Sequence, residues 1–217
     1  MRIEDLSHVV VDGMTTYPGL PGPHITDHLT REASRAHYAA GTEFHIGRID
    51  MVANTGTYLD TPAHRFAGAT DLANTPLERM VELDAVVVNA VGRRAIGVDI
   101  LADRDVGGRA VLFRTDHARR WATEAYLVDH PYVVAEAAAW LVDHGAELVG
   151  IDSLNIDDTS GGERPAHTAL LDAGIPIVEH LTNLDRLPDD GFRFSAAPVA
   201  VRGMGTFPVR AYAVIPG

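Results

Sequence analysis

A mixed α/β domain, one sheet with a few covering helices, is the fold class that this sequence predicts, and three observations predict it. Short apolar runs bounded by turn residues recur along the chain, most of them without strict alternation. That is the pattern of strands covered on both faces. One stretch, Pro131 to His144, carries apolar residues at Val133, Val134, Ala137, Ala138 and Leu141, the spacing of a helix with one buried face. A strand-like run, Glu147–Asp152, follows that helix directly, as in α/β and α+β folds.

Taken in order, strands are expected at Ala85–Val91, Ala110–Thr115, Glu147–Asp152, Ile175–Val178, Phe194–Val201 and Val209–Ile215. The strong helix opens on Pro131, which suits a first helical turn, and stops before Gly145, which suits the position after a helix end. A second helix is expected over roughly Ile25 to Ala39. The segment Tyr17 to Pro23 reads YPGLPGP and is a loop.

The chain has 217 residues, 46% of them hydrophobic, enough for one well-buried core and short for two. A single domain over residues 1–217 is expected. The net charge of -12 and the lack of a basic patch exclude nucleic acid and anionic membrane surfaces as partners. No run approaches the ~18 apolar residues of a membrane span. There is no Cys, which excludes disulfides, thiol nucleophiles and thiolate metal sites and fits a cytoplasmic protein. There is also no Lys, which excludes Schiff-base chemistry and a phosphate-binding P-loop.

The densest polar cluster is NTGTYLDTPAH, from Asn54 to His64. Asn54, Gly56, Tyr58, Asp60, Pro62 and His64 fall at every second position, so in an extended segment they share one face. Pro62 takes the segment out of a sheet. A second cluster runs from His167, at a helix opening, to Glu179, at the end of a strand-like run. A third is Gly150–Asp157, a buried strand leaving into polar residues, where Asp152 is the first candidate. Each alone also reads as an ordinary turn, cap or strand exit. Of the remaining histidines, His24 and His28 flank the Pro/Gly loop and are candidates to line a pocket. His45 and His180 are weaker candidates as replacement ligands. His117, His130 and His144 are expected on the surface at loop or helix-end positions.

Together these segments resemble the kynurenine formamidase and cyclase family of metal-dependent hydrolases. Its motif H-x-G-[TA]-H-x-D-x-P-x-H appears here as Asn54 to His64. Val149-Gly-Ile-Asp-Ser, Ala166-His167, Gly174–Leu184 and the closing Gly205-Thr-Phe-Pro-Val-Arg-Ala resemble further family segments in the same order. The resemblance implies a compact domain with a barrel-like mixed sheet, the cyclase-type swivelling β/β/α fold, assembled as a homodimer or homotetramer. It implies one or two divalent metals, zinc or manganese. Asp60, His167 and Glu179 match metal ligands, His64 matches the general acid/base, and Tyr17 lies near an aromatic wall of the substrate pocket.

Asn54 and Tyr58 depart from the pattern, because both stand where the family has histidine ligands. An Asn carbonyl is a poor zinc ligand, and a Tyr phenol must lose a proton with a pKa near ~10. One metal position is thus impaired, and the other, Asp60 with His167 and Glu179, is intact. Three function classes follow. The first is a metal-assisted hydrolase, or in reverse a cyclase, of a small amide, ester or lactone. The second is a metal-free acid/base cyclase, dehydratase or isomerase, in which Tyr58 donates to an oxyanion and Asp60, Glu179, His64 and His167 act as acid/base groups. The third is a non-catalytic protein that binds a small molecule. In each, Tyr17, Asn54, His24 and Asp152 are expected to contact the ligand.

Overall fold

The computed structural model describes residues 1–217. Its strands are β1 (Arg2–Asp5), β2 (His24–Leu29), β3 (Ile46–Asp50), β4 (Tyr58–Asp60), β5 (Leu83–Asn89), β6 (Ala95–Ile96), β7 (Ala110–Arg114), β8 (Tyr132–Val133), β9 (Leu148–Ile151), β10 (Ile177–Glu179), β11 (Phe192–Ser195), β12 (Thr206–Pro208) and β13 (Tyr212–Ile215). The helices are α1 (Arg31–Ser34), α2 (Ala135–Asp143) and α3 (Pro165–Asp172).

Nine strands form one sheet in the order β1-β13-β11-β5-β7-β9-β10-β4-β12. Strands β5, β7, β9 and β10 run parallel, and the flanking pairs are antiparallel. The twist that L-residues impose on neighbouring strands accumulates across this width, and the sheet curls into a half-barrel. Strand β1 pairs with β13, so both ends of the chain lie in the same sheet.

Alternation along the central strands divides the core in two. Val86, Val88, Val111, Phe113, Val149 and Ile151 join one apolar cluster with Ala137, Ala138 and Leu141 of α2 and Ala166, Leu170 and Leu171 of α3. Ala85, Val87, Ala110, Leu112 and Leu148 join the other, with Leu59, Phe192 and Phe194. This is why the central runs read as continuous apolar stretches.

Two helix expectations are corrected. The strong helix starts at Ala135, not Pro131. The β-branched pair Val133-Val134 follows a segment whose backbone is already committed: Tyr132 N–H donates to the Arg94 carbonyl and Val133 N–H to that of Ile156, each at 2.8 Å. Residues 25–39 are not a long helix. Strand β2 pairs antiparallel with β3, and only a single turn follows, α1, where Thr30 Oγ1 accepts from Ala33 N–H at 3.1 Å. His117 and His130 are buried rather than exposed, and their ring nitrogens bond the Tyr126 carbonyl at 2.9 Å and Thr159 Oγ1 at 3.0 Å. No helix is long and apolar enough to cross a membrane.

Candidate active site and metal centre

The polar cluster gathers where β9 and β10 end and where β4 and β12 run alongside. Register places the groups. Tyr58 of β4 stands opposite Glu179 of β10, and Asp60 of β4 stands opposite Thr206 of β12. Accordingly the Tyr58 hydroxyl donates to Glu179 Oε2 at 2.6 Å, and the Thr206 hydroxyl donates to Asp60 Oδ1. The chain leaves β4 at Thr61 and forms a 3₁₀ turn, Pro62–His64, that turns His64 back over Asp60. Gly205 lies against that turn. A Cβ there would stand 2.1 Å from His64 N, so no larger residue fits without moving His64.

His167 comes from the first turn of α3. Asp157, just beyond β9, accepts the helix N–H groups of Ala166 at 2.6 Å and His167 at 3.0 Å. It thereby satisfies donors that a helix start leaves open. The same carboxylate accepts from His167 Nδ1 at 2.7 Å. This fixes the ring so that Nε2 faces Asp60 Oδ2 at 3.7 Å and Glu179 Oε1 at 3.6 Å. A carboxylate on the far nitrogen of an imidazole is the arrangement that orients metal-ligating histidines.

Asp60 is fully buried, and its Oδ2 has no hydrogen-bond partner. An ionised oxygen left so is expensive. Donors sharing a tetrahedral ion at about 2.1 Å stand about 3.4 Å apart, close to the observed spacings. Each of the two carboxylates thus stands at about ion-sharing distance from His167, and the mixed nitrogen and oxygen character of these donors suits zinc or manganese. Asp60, His64 and His167 also lie mutually within 4.8 Å. His64 Nδ1, however, is turned to Thr206 Oγ1 at 2.7 Å. The Thr206 proton is spent on Asp60, so His64 donates from Nδ1 to Thr206 Oγ1. That bond fixes the orientation of the His64 ring beside Asp60 and His167.

Tyr58 differs from its expected role. Its ring lines the cavity, but its hydroxyl is held by Glu179 and is not free for an oxyanion. His180, fully buried, explains why. Its Nδ1 accepts from the Tyr126 hydroxyl at 2.8 Å, and its Nε2 faces the Tyr58 oxygen at 3.3 Å. Tyr126, His180 and Tyr58 thus donate in one direction, towards Glu179. Burial holds the His180 ring neutral, well below the usual histidine range, and pushes both phenols well above theirs. His180 is a support for Tyr58, not a replacement ligand. His45 is not one either, because it sits on the exposed hairpin against Asp27.

Without an ion the centre is strained electrostatically. Burial pushes Glu179 up to about 7; the His167 charge opposes this, the Asp60 charge adds to it, and the bonds from Tyr58 and Ile156 N–H oppose it. Burial also disfavours the His167 charge, but its bond to Asp157 and the nearby carboxylates of Asp60 and Glu179 prevail and hold it up at about 10.

These groups form the floor of a cavity of about 270 Å³ whose lining includes Tyr17, Leu20, Asn54, Tyr58, His64, His167 and Glu179. Of the sequence candidates, Tyr17 and Asn54 join them. His24 does not: it is exposed, beside Asp12 at 3.5 Å. Nor does His28, exposed on the same strand. Asp152 lies elsewhere too, accepting from Thr115 N–H at 2.7 Å, Thr115 Oγ1 at 2.6 Å and Asp116 N–H at 2.9 Å, with burial pushing it up to about 6. It braces the turn after β7. Asp157, Thr206 and Tyr126 are site residues that the sequence does not single out. Asp157 and Thr206 lie in segments that carry the family resemblance, whereas Tyr126 has no such signal.

Fold and site place the chain among small mixed α/β domains that carry a carboxylate–histidine centre at the strand ends. The family model described as "Putative cyclase" matches residues 4–158. The chain belongs to this family. The kynurenine formamidase of Geobacillus thermodenitrificans is 28% identical over 186 residues, covering 82% of this chain and 84% of that protein. A solved structure described as a potential metal-dependent hydrolase with cyclase activity is 27% identical, with a TM-score of 0.80 over 98% of this chain and 96% of its own. Isatin hydrolase A from Labrenzia aggregata, bound to benzyl benzoate, shares the fold at TM-score 0.84 and 23% identity, covering 100% of this chain and 94% of that one.

Proposed function

We propose that the chain is a hydrolase of a small carbonyl compound, an aryl formamide, cyclic amide, ester or lactone, that works with one divalent ion. The observation that carries this reading is the buried, unpartnered Asp60 Oδ2 facing His167 Nε2. The kynurenine formamidase and metal-dependent hydrolase relatives support it. Asp60, His167 and Glu179 would hold the ion. When bound, it supplies Lewis-acid polarisation of the carbonyl and a more acidic water.

The chain's own residues do the rest. His64 Nε2 takes a proton from the attacking water and returns it to the leaving nitrogen or oxygen. Thr206, fixed by Asp60, holds the ring in that tautomer. Tyr58, held by His180 and Tyr126, fixes the Glu179 carboxylate in place of a second ion. Tyr17 and Leu20 wall the cavity on its outer side, where substrate enters.

The test is turnover of formanilide and of a simple aryl lactone before and after chelation. Loss of activity on chelation, with recovery on adding zinc or manganese, is the expected result. Activity untouched by chelators would move the protein to a second reading, acid/base cyclisation or isomerisation without a metal, which the Glu179 carboxyl at about 7 favours.

We also infer self-association. The β2–β3 hairpin and its neighbourhood expose Ile25, Phe44, Ile46 and Ile49 at 43–52%, and oligomers bury such apolar surface. Light scattering should return a multiple of 23.3 kDa; a monomer mass across micromolar concentrations would contradict it.

A further inference from the structure

We propose that this site takes a substrate carrying a carboxylate remote from the reacting carbonyl, read by Arg65 and Arg164 at the cavity rim. The proposal deepens the hydrolase reading and rests on it for the reaction, though not for the binding.

Both arginines line the same cavity as His64 and His167. Each is tied in sequence to one of them: Arg65 follows His64 directly, and Arg164 lies one helical turn before His167. Neither guanidinium is spent on an ion pair, although elsewhere Arg79, Arg114 and Arg210 are paired with carboxylates. Both are nevertheless held. Arg65 Nε lies 3.4 Å from Thr168 Oγ1, and that hydroxyl donates to the Arg164 carbonyl at 2.7 Å. The Arg65 guanidinium also stands 5.4 Å from the Phe66 ring centre. Arg164 Nη1 donates to the carbonyls of Glu163 at 2.6 Å, Gly161 at 2.9 Å and Asp158 at 3.3 Å. Its Nη2 and Nε remain for a ligand. A held guanidinium with donors to spare is the group that reads a planar carboxylate.

The cavity is polarised end to end. Glu179 is the one carboxylate that lines it, with Asp60 and Asp157 buried beside His167, whereas the more exposed Arg65 and Arg164 both line it. In a chain of net charge -12, a local positive rim over an acidic floor selects and orients. An anionic substrate enters with its charge held outward and its carbonyl inward, towards His64. The volume of about 270 Å³ lies just below the range of ligand pockets, about 300–1,000 Å³, and suits a single aromatic ring with two small substituents.

The test compares the 2-, 3- and 4-formamidobenzoates with the matching formamidobenzamides, which have the same size and no charge. Binding is read by calorimetry and turnover by aryl amine release, for wild type, Arg65→Ala, Arg164→Ala and Arg164→Lys. Wild type is expected to favour at least one benzoate over its benzamide by about 10- to 100-fold in Kd and kcat/KM, the range of one or two charged hydrogen bonds. Each alanine variant is expected to lose most of that preference, the benzoate's KM rising about tenfold or more beyond any change in the benzamide's. Arg164→Lys should keep part of it. A wild type that binds benzamides as well as benzoates, or binds neither series, overturns the proposal. So do alanine variants that lose both series equally, because the arginines are then only structural. Benzoate binding without turnover, lost in the variants, leaves the carboxylate site standing and removes the hydrolase reading instead. Turnover without charge preference does the reverse.

Discussion

His64→Ala is expected to lower kcat by about 10²- to 10⁴-fold, the usual worth of a positioned acid/base group, with metal content unchanged. His64 is partly exposed, its one side-chain hydrogen bond is to Thr206, and Asp60 stands 3.7 Å from the same nitrogen, so removing the ring should leave the fold in place. Thr206→Val should cost less in kcat, because the ring remains but its tautomer and angle are no longer set. Steady-state kinetics beside metal analysis checks both. A His64→Ala enzyme within tenfold of wild type would show that another group moves the proton.

Glu179→Gln is expected to abolish metal binding and at least a thousandfold of the activity, while raising the stability of the metal-free protein above neutral pH. A divalent ion needs the ionised carboxylate, whereas the metal-free fold pays for that ionisation. The folded-state value of Glu179 is raised, from 4.5 to about 7. The unfolded chain therefore releases this proton first. Wild-type stability falls as pH rises from about 4.5 through about 7, then stays at the lower level as far as this group is concerned. Gln keeps the shape and never ionises. His167 contributes in its own window. Its folded value is raised from 6.5 to about 10, so its stabilisation is complete below about 6.5 and is lost as pH rises through about 10. Part of that support comes from the Glu179 charge, so the gain from Gln is partly offset above neutral. Urea melts of chelated wild type and variant at pH 5 and pH 8 measure the difference. A variant no more stable than wild type at pH 8, relative to pH 5, would contradict the cost assigned to Glu179.

What the sequence reveals and what it conceals both follow from range. Central strands such as Val86–Val88 and Val111–Phe113 are legible because burial on both faces leaves an apolar run that no neighbour is needed to explain. Residues 24–39 misled because the partner of β2 is β3, some twenty residues on, and a local window sees only scattered apolar positions. Asp60, His64, His167 and Glu179 are legible through their resemblance to one family site, and the structure brings all four together. The supports are not legible. Thr206 matters because it stands opposite Asp60 in an antiparallel pair, and His180 because its neighbour Glu179 faces Tyr58. Asp152, at the polar exit of the strand over Gly150–Asp157, reads from sequence as a ligand contact. The structure shows that Asp152 turns sideways to the loop after β7, while Asp157 reaches the start of α3. His24 looked suited to a pocket from its place beside a Pro/Gly loop, yet the hairpin carries it into solvent. Arg65 and Arg164 share a rim only because Thr168 joins two segments about a hundred residues apart.

We propose that one divalent ion binds at Asp60, His167 and Glu179, with Tyr58 occupying the place of a second. Metal analysis of protein loaded with zinc or manganese and then desalted tests it most directly. It should be run on wild type, on Asp60→Asn, and on the double variant Asn54→His with Tyr58→His. One ion per subunit in wild type, none in Asp60→Asn, and a second or tighter ion in the double variant is the expected result. Two tightly held ions in wild type, or an ion that survives Asp60→Asn, would contradict the account.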